Sequence, residues 1–126
     1  MRSFGLAPGV AWRRISDEIV VLKLDSGEYY SLPESSAKAW EWLIEGLDET
    51  QVLSRLKLFF DVQDRKAEKD LREFIAEALS EKLLATLKSA KSAPAPKAPA
   101  KKRAYSRLVL KKHSTLDPKF YAMATY

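Results

Sequence analysis

Residues 22–46 of this 126-residue chain have the sequence LKLDSGEYYSLPESSAKAWEWLIEG, which predicts a strand followed directly by a helix. The stretch begins with turn residues around Gly27, which tolerates a positive φ, and these lead into a short strand that ends at Leu32. Side chains alternate between the two faces of a strand, which predicts two pairs of neighbours: Tyr30 with Leu32, and Tyr29 with Ser31. Of the two tyrosines, Tyr30 is expected to pack in the core under Trp40.

The second half of the same stretch predicts a helix over residues 33–45. Pro33 suits the first turn of a helix, and apolar residues recur at helical spacing from Ala37 to Ile44. Gly46 then favours the left-handed conformation that ends many helices. The chain is therefore expected to pass directly from a strand into a helix.

Two more strands are predicted upstream of this stretch, over Val10 to Ile15 and Ile19 to Leu24. The second strand is rich in β-branched residues, and Ser16-Asp17 supplies a short connection between the two. With the strand that ends at Leu32, they predict a three-stranded antiparallel meander.

Two more helices are predicted downstream. Asp48 is a good N-cap for a helix that ends near Asp61, and Asp64 is a good N-cap for a third helix that ends near Ser80. Three leucines are expected to complete the core: Leu83, Leu84 and Leu87. The sequence thus predicts an α+β, winged-helix-like fold, in which a three-stranded antiparallel meander is followed by three helices and an extended C-terminal tail.

The charge of the chain divides into two parts of opposite sign. Residues 1–87 contain 12 Lys and Arg and 16 Asp and Glu, a net charge of −4, whereas residues 88–126 contain 10 basic residues and only Asp117, a net charge of +9. The overall charge of +5 therefore describes neither part.

Composition further divides the second part. An Ala/Pro/Lys-rich linker over residues 88–103 favours an extended, polyproline-like chain, and residues 104–126 are basic and apolar. The predicted organisation is a peptide-binding domain over residues 1–87, this linker, and a leader-like or docking tail over residues 104–126.

The residue types that are missing exclude several functions. The chain has no Cys, which excludes disulfides, thiolate metal sites and cysteine nucleophiles, and its one His113 is expected at the surface of the tail. No cofactor or metal site is predicted. The chain has no apolar run long enough for a signal peptide or a membrane span, so a cytoplasmic protein without a membrane partner is expected.

The order and spacing of the predicted elements over residues 10–87 resemble the PqqD-like family of recognition elements for RiPPs, which are ribosomally made, post-translationally modified peptides. The resemblance depends on the strand Gly27-Glu-Tyr-Tyr-Ser-Leu32, on Ala39-Trp-Glu-Trp-Leu43 in the helix that follows directly, and on Asp61-Val62 before the last helix. One departure is Lys82, where such sequences often have Gly.

The resemblance implies a non-catalytic domain that holds the leader of a precursor peptide and presents the core of that peptide to a separate modifying enzyme, such as a radical SAM enzyme. In that family the leader adds as a strand to the open edge of the third strand, beside the third helix. The implied peptide-binding residues on the strand are Glu28, Tyr29, Tyr30, Ser31 and Leu32. Those on and after the helix are Asp70, Leu71, Glu73, Phe74, Glu77 and Glu81.

Four of these residues carry carboxylates at spacings of three or four, which places them along one side of the third helix: Asp70, Glu73, Glu77 and Glu81. If this side flanks the cleft, the domain prefers a basic extended peptide. The alternative is a solvated helix face balanced by nearby Lys66, Lys69 and Arg72.

The tail resembles the leader peptides of lasso-type precursors, in which a Tyr precedes a Pro by three positions and a Leu by five. Tyr105 and Leu110 have that spacing, and Leu108 stands where the Pro would be. We therefore expect an extended segment from Arg107 to Lys112 that binds its own domain or a neighbouring copy in a tail-exchanged dimer, with the Tyr-rich C-terminal end as a substrate region. A disordered solubilising tail and a dock for the partner enzyme are the alternatives.

Two other functional classes compete with peptide binding. A winged-helix DNA-binding regulator with a basic tail would fit the net positive charge, but a helix that reads a groove is rich in basic and amide side chains, whereas the third helix has a carboxylate stripe. Nucleic acid is therefore not expected as a partner. Catalysis lacks a nucleophile, a cofactor loop and a metal motif, so no enzymatic activity is expected.

Overall fold

The computed structural model describes residues 3–87 and 101–113. Its strands are β1 (Ser3–Leu6), β2 (Val10–Ile15), β3 (Glu18–Lys23), β4 (Tyr29–Pro33), β5 (Phe60–Asp61), β6 (Leu84–Leu87), β7 (Arg103–Ala104) and β8 (Lys111–His113). Its helices are α1 (Glu34–Ile44), α2 (Glu49–Phe59) and α3 (Asp64–Ser80). The α+β class is confirmed.

The predicted meander is formed by β2, β3 and β4, which pair in antiparallel fashion in that order. Ser16 and Asp17 close a two-residue hairpin in which Ser16 has a φ of 59°. Gly27 has a φ of 77° in the next turn, as its position before the third strand predicted. The third strand of the predicted meander is therefore β4, and its outer edge faces away from β3.

The three helices follow the meander as predicted. Gly46 has a φ of 93° after α1, and Asp48 caps α2 by accepting a hydrogen bond from the Gln51 backbone N–H at 2.9 Å. The N-cap predicted for α3 was wrong, because Gln63 occupies that position and Asp64 is the first residue of the helix. There the Asp64 carboxylate favours the helix through the dipole at its N-terminus instead of through a capping hydrogen bond.

A second small sheet was not predicted from the sequence. It pairs β1 with β6 in antiparallel fashion, with Ser3 opposite Leu87 and Leu6 opposite Leu84. Leu84 is buried in this sheet, but the expectation that Leu87 lies in the core was wrong, because it is 44% exposed at the end of β6. Lys82 has a φ of 60° just before β6, so it takes the left-handed conformation that Gly often provides in similar sequences.

The hydrophobic core lies between the meander and the helices. Trp40 of α1 is fully buried in it, together with Tyr30 of β4 and Phe74 of α3. The same core cluster contains Leu108 and Leu110 from the tail, which are 4% and 8% exposed. The tail is thus part of the packing of the domain through these two leucines.

Several predictions lie outside the described residues. They are the polyproline-like conformation expected for residues 88–100 and the role of the Tyr-rich end over residues 114–126. Within residues 3–87 and 101–113, no helix is long and apolar enough to cross a membrane. In those same ranges, no three His, Asp or Glu side chains form a group that could hold a metal ion.

Candidate peptide-binding site

The outer edge of β4 is occupied by the tail. Strand β8 pairs with it in antiparallel fashion, with Tyr29 opposite His113, Tyr30 opposite Lys112 and Ser31 opposite Lys111. The sheet therefore has the order β2-β3-β4-β8, and its last strand is supplied by a segment more than 75 residues further along the chain. The strand is shorter than the extended segment expected from Arg107 to Lys112, because it begins only at Lys111.

The upstream end of the docked segment is anchored by Tyr105. Its hydroxyl donates a hydrogen bond of 2.8 Å to Oδ2 of Asp70, a carboxylate on α3 that is only 4% exposed in the folded protein. Its ring lies edge-on to Phe60, with 6.3 Å between centroids. Burial, and next the hydrogen bond to Asp70, raise the pKa of the Tyr105 phenol, so the group stays protonated at neutral pH and remains a hydrogen-bond donor.

Two buried serines at the start of α1 hold the middle of the segment. Ser35 accepts a hydrogen bond of 3.1 Å from the backbone N–H of Ser106, and Ser36 accepts one of 2.8 Å from the backbone N–H of Val109. The sequence did not single out these serines. No local signal could have found them, because their contact with the tail backbone depends on tertiary placement.

Leu108 and Leu110 lie between these polar contacts and point into the core. They join the cluster that contains Leu32, Leu71 and Phe74, the three apolar residues of the predicted binding set. Arg107 points outward and its guanidinium donates to Glu73 on α3 at 3.2 Å, where both side chains are largely exposed. The segment thus alternates between buried leucines and outward-facing residues, as an extended chain does.

The downstream end of the segment is anchored by Lys112. Its Nζ lies 3.1 Å from Oε2 of Glu28 and 2.8 Å from Oε1 of Glu81. The hydroxyl of Tyr30, a residue that is 1% exposed, donates a hydrogen bond of 2.7 Å to the same oxygen of Glu81. The Lys112 ammonium holds the pKa of both carboxyl groups below the usual range, and the two carboxylates raise the pKa of Lys112.

The outward face of β8 is covered in part by an aromatic contact. The His113 ring stacks on the ring of Tyr29, with centroids 4.6 Å apart and an interplanar angle of 13°. Its Nε2 also lies 3.1 Å from the hydroxyl of Ser31. His113 was expected at the surface of the tail, and it lies on the outward face of β8, where its pairing with Tyr29 leaves it partly exposed.

The four carboxylates predicted along one side of α3 therefore have different environments. Asp70, Glu73 and Glu81 each contact a polar or basic side chain of the tail. Asp70 also lies 3.3 Å from Nζ of Lys66 on its own helix. Glu77 is exposed to solvent. The alternative of a solvated helix face, which expected exposure of all four carboxylates, therefore describes Glu77.

Comparisons with known proteins point to one family. The family model described as coenzyme PQQ synthesis protein D (PqqD) matches residues 18–84, which is more than half of the chain. The match begins at β3 and ends at the first residue of β6, so it includes β4 and α3 but not the tail. No curated protein matches the chain.

Two solved structures have a similar fold. One is TbiB1 in complex with the TbiA(beta) leader peptide, which is 28% identical, with a TM-score of 0.60 over 64% of this chain and 93% of that chain. The other is lasso peptide synthetase B1 complexed with the leader peptide, which is 23% identical, with a TM-score of 0.62 over 66% of this chain and 98% of that chain. Both similar proteins were thus solved with a leader peptide.

Proposed function

The chain belongs to the PqqD family, and we therefore propose that it binds the leader of a ribosomally made, post-translationally modified peptide without itself catalysing the modification. The observation that carries the proposal is the addition of β8 to the outer edge of β4. TbiB1, which is 28% identical to this chain, was solved with a leader peptide. The peptide-binding residues we propose lie in and directly before β4 and in and directly after α3: Glu28, Tyr29, Tyr30, Ser31, Leu32, Asp70, Leu71, Glu73, Phe74, Glu77 and Glu81.

The mechanism follows from the chemistry of an open sheet edge. The backbone N–H and C=O groups on the outer side of β4 form hydrogen bonds with any extended chain, which supplies affinity but little selectivity. Selectivity comes from the side-chain sites beside the edge, where Asp70 binds a tyrosine hydroxyl and the core cluster receives two leucines. A bound leader would be held in one orientation, with its C-terminal continuation directed past Tyr29.

We propose that residues 104–113 are a built-in, leader-like ligand of this site. The Tyr105, Leu108 and Leu110 side chains, which have the spacing of a lasso-type leader, make the contacts that an added leader would make. The proposed organisation is a binding domain over residues 1–87, a linker over 88–103 and a ligand-like tail over 104–126. The Tyr-rich end would then be the segment presented for modification.

The length of the linker supports binding within one chain. The 13 residues between Leu87 and Lys101 can span at most about 45 Å, which is well above the radius of gyration of about 12 Å expected for an 87-residue domain. Tethering of this kind gives an effective ligand concentration in the millimolar range. Exchange of tails between two copies is the other arrangement that the same contacts permit.

The partner we propose is a separate modifying enzyme, such as a radical SAM enzyme, that receives the peptide segment after the leader. The fold does not support the DNA-binding alternative, because the carboxylates of Asp70 and Glu73 on α3 contact the tail and would repel phosphate. We expect no shift of a DNA duplex by the chain at moderate salt.

Calorimetric titration tests the proposed function. A full-length variant with Leu108→Asp and Leu110→Asp is expected to release its tail, because two charges cannot enter the core cluster without a large desolvation cost. A synthetic peptide with the sequence of residues 101–113 should then bind this variant with one-to-one stoichiometry, and should bind the unchanged chain at least tenfold more weakly.

A peptide of the same composition with Tyr105 and Ser106 exchanged and Leu108 and Val109 exchanged serves as the control. It keeps the charge of the tail but places the anchors on the wrong side of the strand, so it should not bind. Two results would overturn the proposed function. One is an equal heat of binding for both peptides. The other is no binding of either peptide to the variant, provided that the variant keeps the circular dichroism of the unchanged chain.

A further inference from the structure

We propose that Glu28 and Glu81, with Tyr30 behind them, form a receptor for one lysine ammonium, and that this receptor fixes the register of the bound strand. The site would select peptides that carry a lysine seven residues after the anchoring tyrosine, as Lys112 follows Tyr105. The inference rests on the proposed function and deepens it, because it names the chemical class of peptide that the site accepts.

The receptor is built from three different parts of the domain. Glu28 precedes β4, Tyr30 lies within β4, and Glu81 directly follows α3. One nitrogen, Nζ of Lys112, lies within 3.1 Å of a carboxylate oxygen from each glutamate. Because the buried Tyr30 donates to Glu81, it orients that carboxylate toward the position of the ammonium.

The charge of the receptor without a ligand explains why it requires a cation. Two oxygens that lie 3.1 and 2.8 Å from the same nitrogen are less than 6 Å apart, so the two carboxylates repel each other when no ammonium lies between them. Lys23 of β3 compensates in part, since its Nζ lies 3.8 Å from Oε1 of Glu28. A neutral or acidic side chain at the position of Lys112 would leave this repulsion in place.

Strand addition by itself does not determine register, because the same backbone hydrogen bonds form after a shift of two residues, with every side chain still on its original face. The Tyr105 site and the lysine receptor remove this ambiguity, since they bind side chains at the two ends of the docked segment. Seven residues of extended chain span at most about 25 Å. A ligand whose tyrosine and lysine are nine residues apart cannot satisfy both sites without a bulge.

A lysine fits this receptor better than an arginine does. The lysine ammonium is a compact charge with three donors, which suits two carboxylates that approach one nitrogen from different elements. A guanidinium is planar and favours one carboxylate that it binds with two parallel hydrogen bonds. We therefore expect Lys112→Arg to weaken docking, although it preserves the charge.

The first test uses the full chain and hydrogen exchange at the Tyr29, Ser31, Lys111 and His113 amides, whose N–H groups point across the β4–β8 pair. Lys112→Glu is expected to lower their protection at least tenfold, whereas Lys102→Glu, the same charge change at an exposed position upstream in the tail, should lower it less than threefold. Combining Lys112→Glu with Glu81→Lys should restore at least half of the lost protection on a logarithmic scale. Equal losses for the two single variants would overturn the inference.

The second test measures register directly, with peptides added to the Leu108→Asp, Leu110→Asp chain. Inserting two residues between Leu110 and Lys111 of the 101–113 peptide keeps all of its anchoring side chains but moves Lys112 out of reach of Glu28 and Glu81. This insertion should weaken binding about tenfold. The same insertion before Tyr105 is the control and should have no effect. If the unchanged peptide binds but the insertion has no effect, the lysine receptor is refuted and the proposed function stands; if no peptide binds, the proposed function itself fails.

Discussion

The two halves of the docked tail are held in different ways. The apolar half, residues 105–110, places two leucines in the core and a tyrosine hydroxyl on a buried carboxylate. The basic half, residues 111–113, pairs with the edge of β4 and places Lys112 between two glutamates, with a lysine side chain that is 48% exposed. The first half is thus held by burial, and the second by backbone pairing and charge.

Because of this difference, the two halves of the tail contact surfaces with different roles: one sets the affinity for a peptide and the other sets the selectivity among peptides. Burial of apolar side chains stabilises docking whatever the salt concentration, whereas ion pairs between partly exposed groups contribute little free energy and weaken as salt rises. The exposed pairs can nevertheless discriminate among ligands, because a like charge in the same place is repelled. We therefore expect the apolar half to set how tightly a peptide binds and the basic half to set which peptide binds.

The largest expected effect comes from removing burial in the apolar half. Leu108→Ala should weaken docking by about 2–3 kcal/mol, because it removes a buried side chain from a packed cluster. The Val109 amide reports this change well, since it donates to the buried Ser36 only when the tail is docked. Its protection from hydrogen exchange should fall by about 30–150-fold.

Leu87→Ala is the matched control, because it is the same chemical change at a leucine that is 44% exposed. It should leave the protection of the Val109 amide within about twofold of the unchanged chain. If both variants lower that protection equally, burial of Leu108 does not hold the tail.

A smaller effect is expected from the hydroxyl of Tyr105. Tyr105→Phe keeps the ring against Phe60 but leaves the buried Asp70 without its tail donor, which should cost about 1–2 kcal/mol of docking free energy. Lys66 remains 3.3 Å from Asp70 and limits the loss. The Ser106 and Val109 amides should therefore lose about 5–30-fold in protection.

The salt dependence of this variant distinguishes burial from charge at the Tyr105 end of the tail. Because the lost hydrogen bond is buried, the ratio of protection between the variant and the unchanged chain should be the same in low and high salt. A ratio that approaches one in high salt would mean that the Tyr105 end is held by charge like the basic half.

The smallest effect is expected on acidification, and only in the basic half. The pKa values of Glu28 and Glu81 are lowered from 4.5 in the docked chain, chiefly by Lys112, so their contribution is present above about pH 4.5 and is lost as the pH falls through the lowered values. The heteronuclear NOE of the Lys112 and His113 amides should decrease over that range, while that of the Val109 amide stays constant.

Replacing both acids, with Glu28→Gln and Glu81→Gln, should abolish this decrease below pH 4.5, because no carboxylate remains to be protonated beside Lys112. A pH response that persists in this variant would assign the loss to other groups. A simultaneous decrease at Val109 would show that the two halves of the tail undock together.

The parts of the fold that the sequence predicted are those with strong local signals. The β-branched run of β3 and the helical spacing of apolar residues in α1 are complete within short stretches, so their periodicity is sufficient to identify them. The β1–β6 sheet was missed because Ser3–Leu6 and Leu84–Leu87 are four-residue segments some 80 residues apart. Neither segment has a pattern long enough to indicate its partner.

The residues of the candidate site likewise fall into those that the sequence indicated and those that it did not. Leu108 and Leu110 stand out in the sequence because two leucines in a basic tail need a surface to cover them, and both lie in the core. Ser35 and Ser36 did not stand out, because a hydroxyl in the first turn of a helix is common. Their role as acceptors for the tail backbone depends on tertiary placement that no local pattern contains.

The pairing of β8 with β4 also has a consequence for the behaviour of the protein in concentrated solution. An uncovered strand edge is a template on which other chains can pair, and such edges promote aggregation. In this chain the tail covers the edge of β4 with a strand that carries two lysines, and charged side chains discourage further strands from adding beyond it. The tail therefore prevents other chains from pairing with the edge of β4, and a chain that ends before residue 101 should self-associate more readily than the full chain.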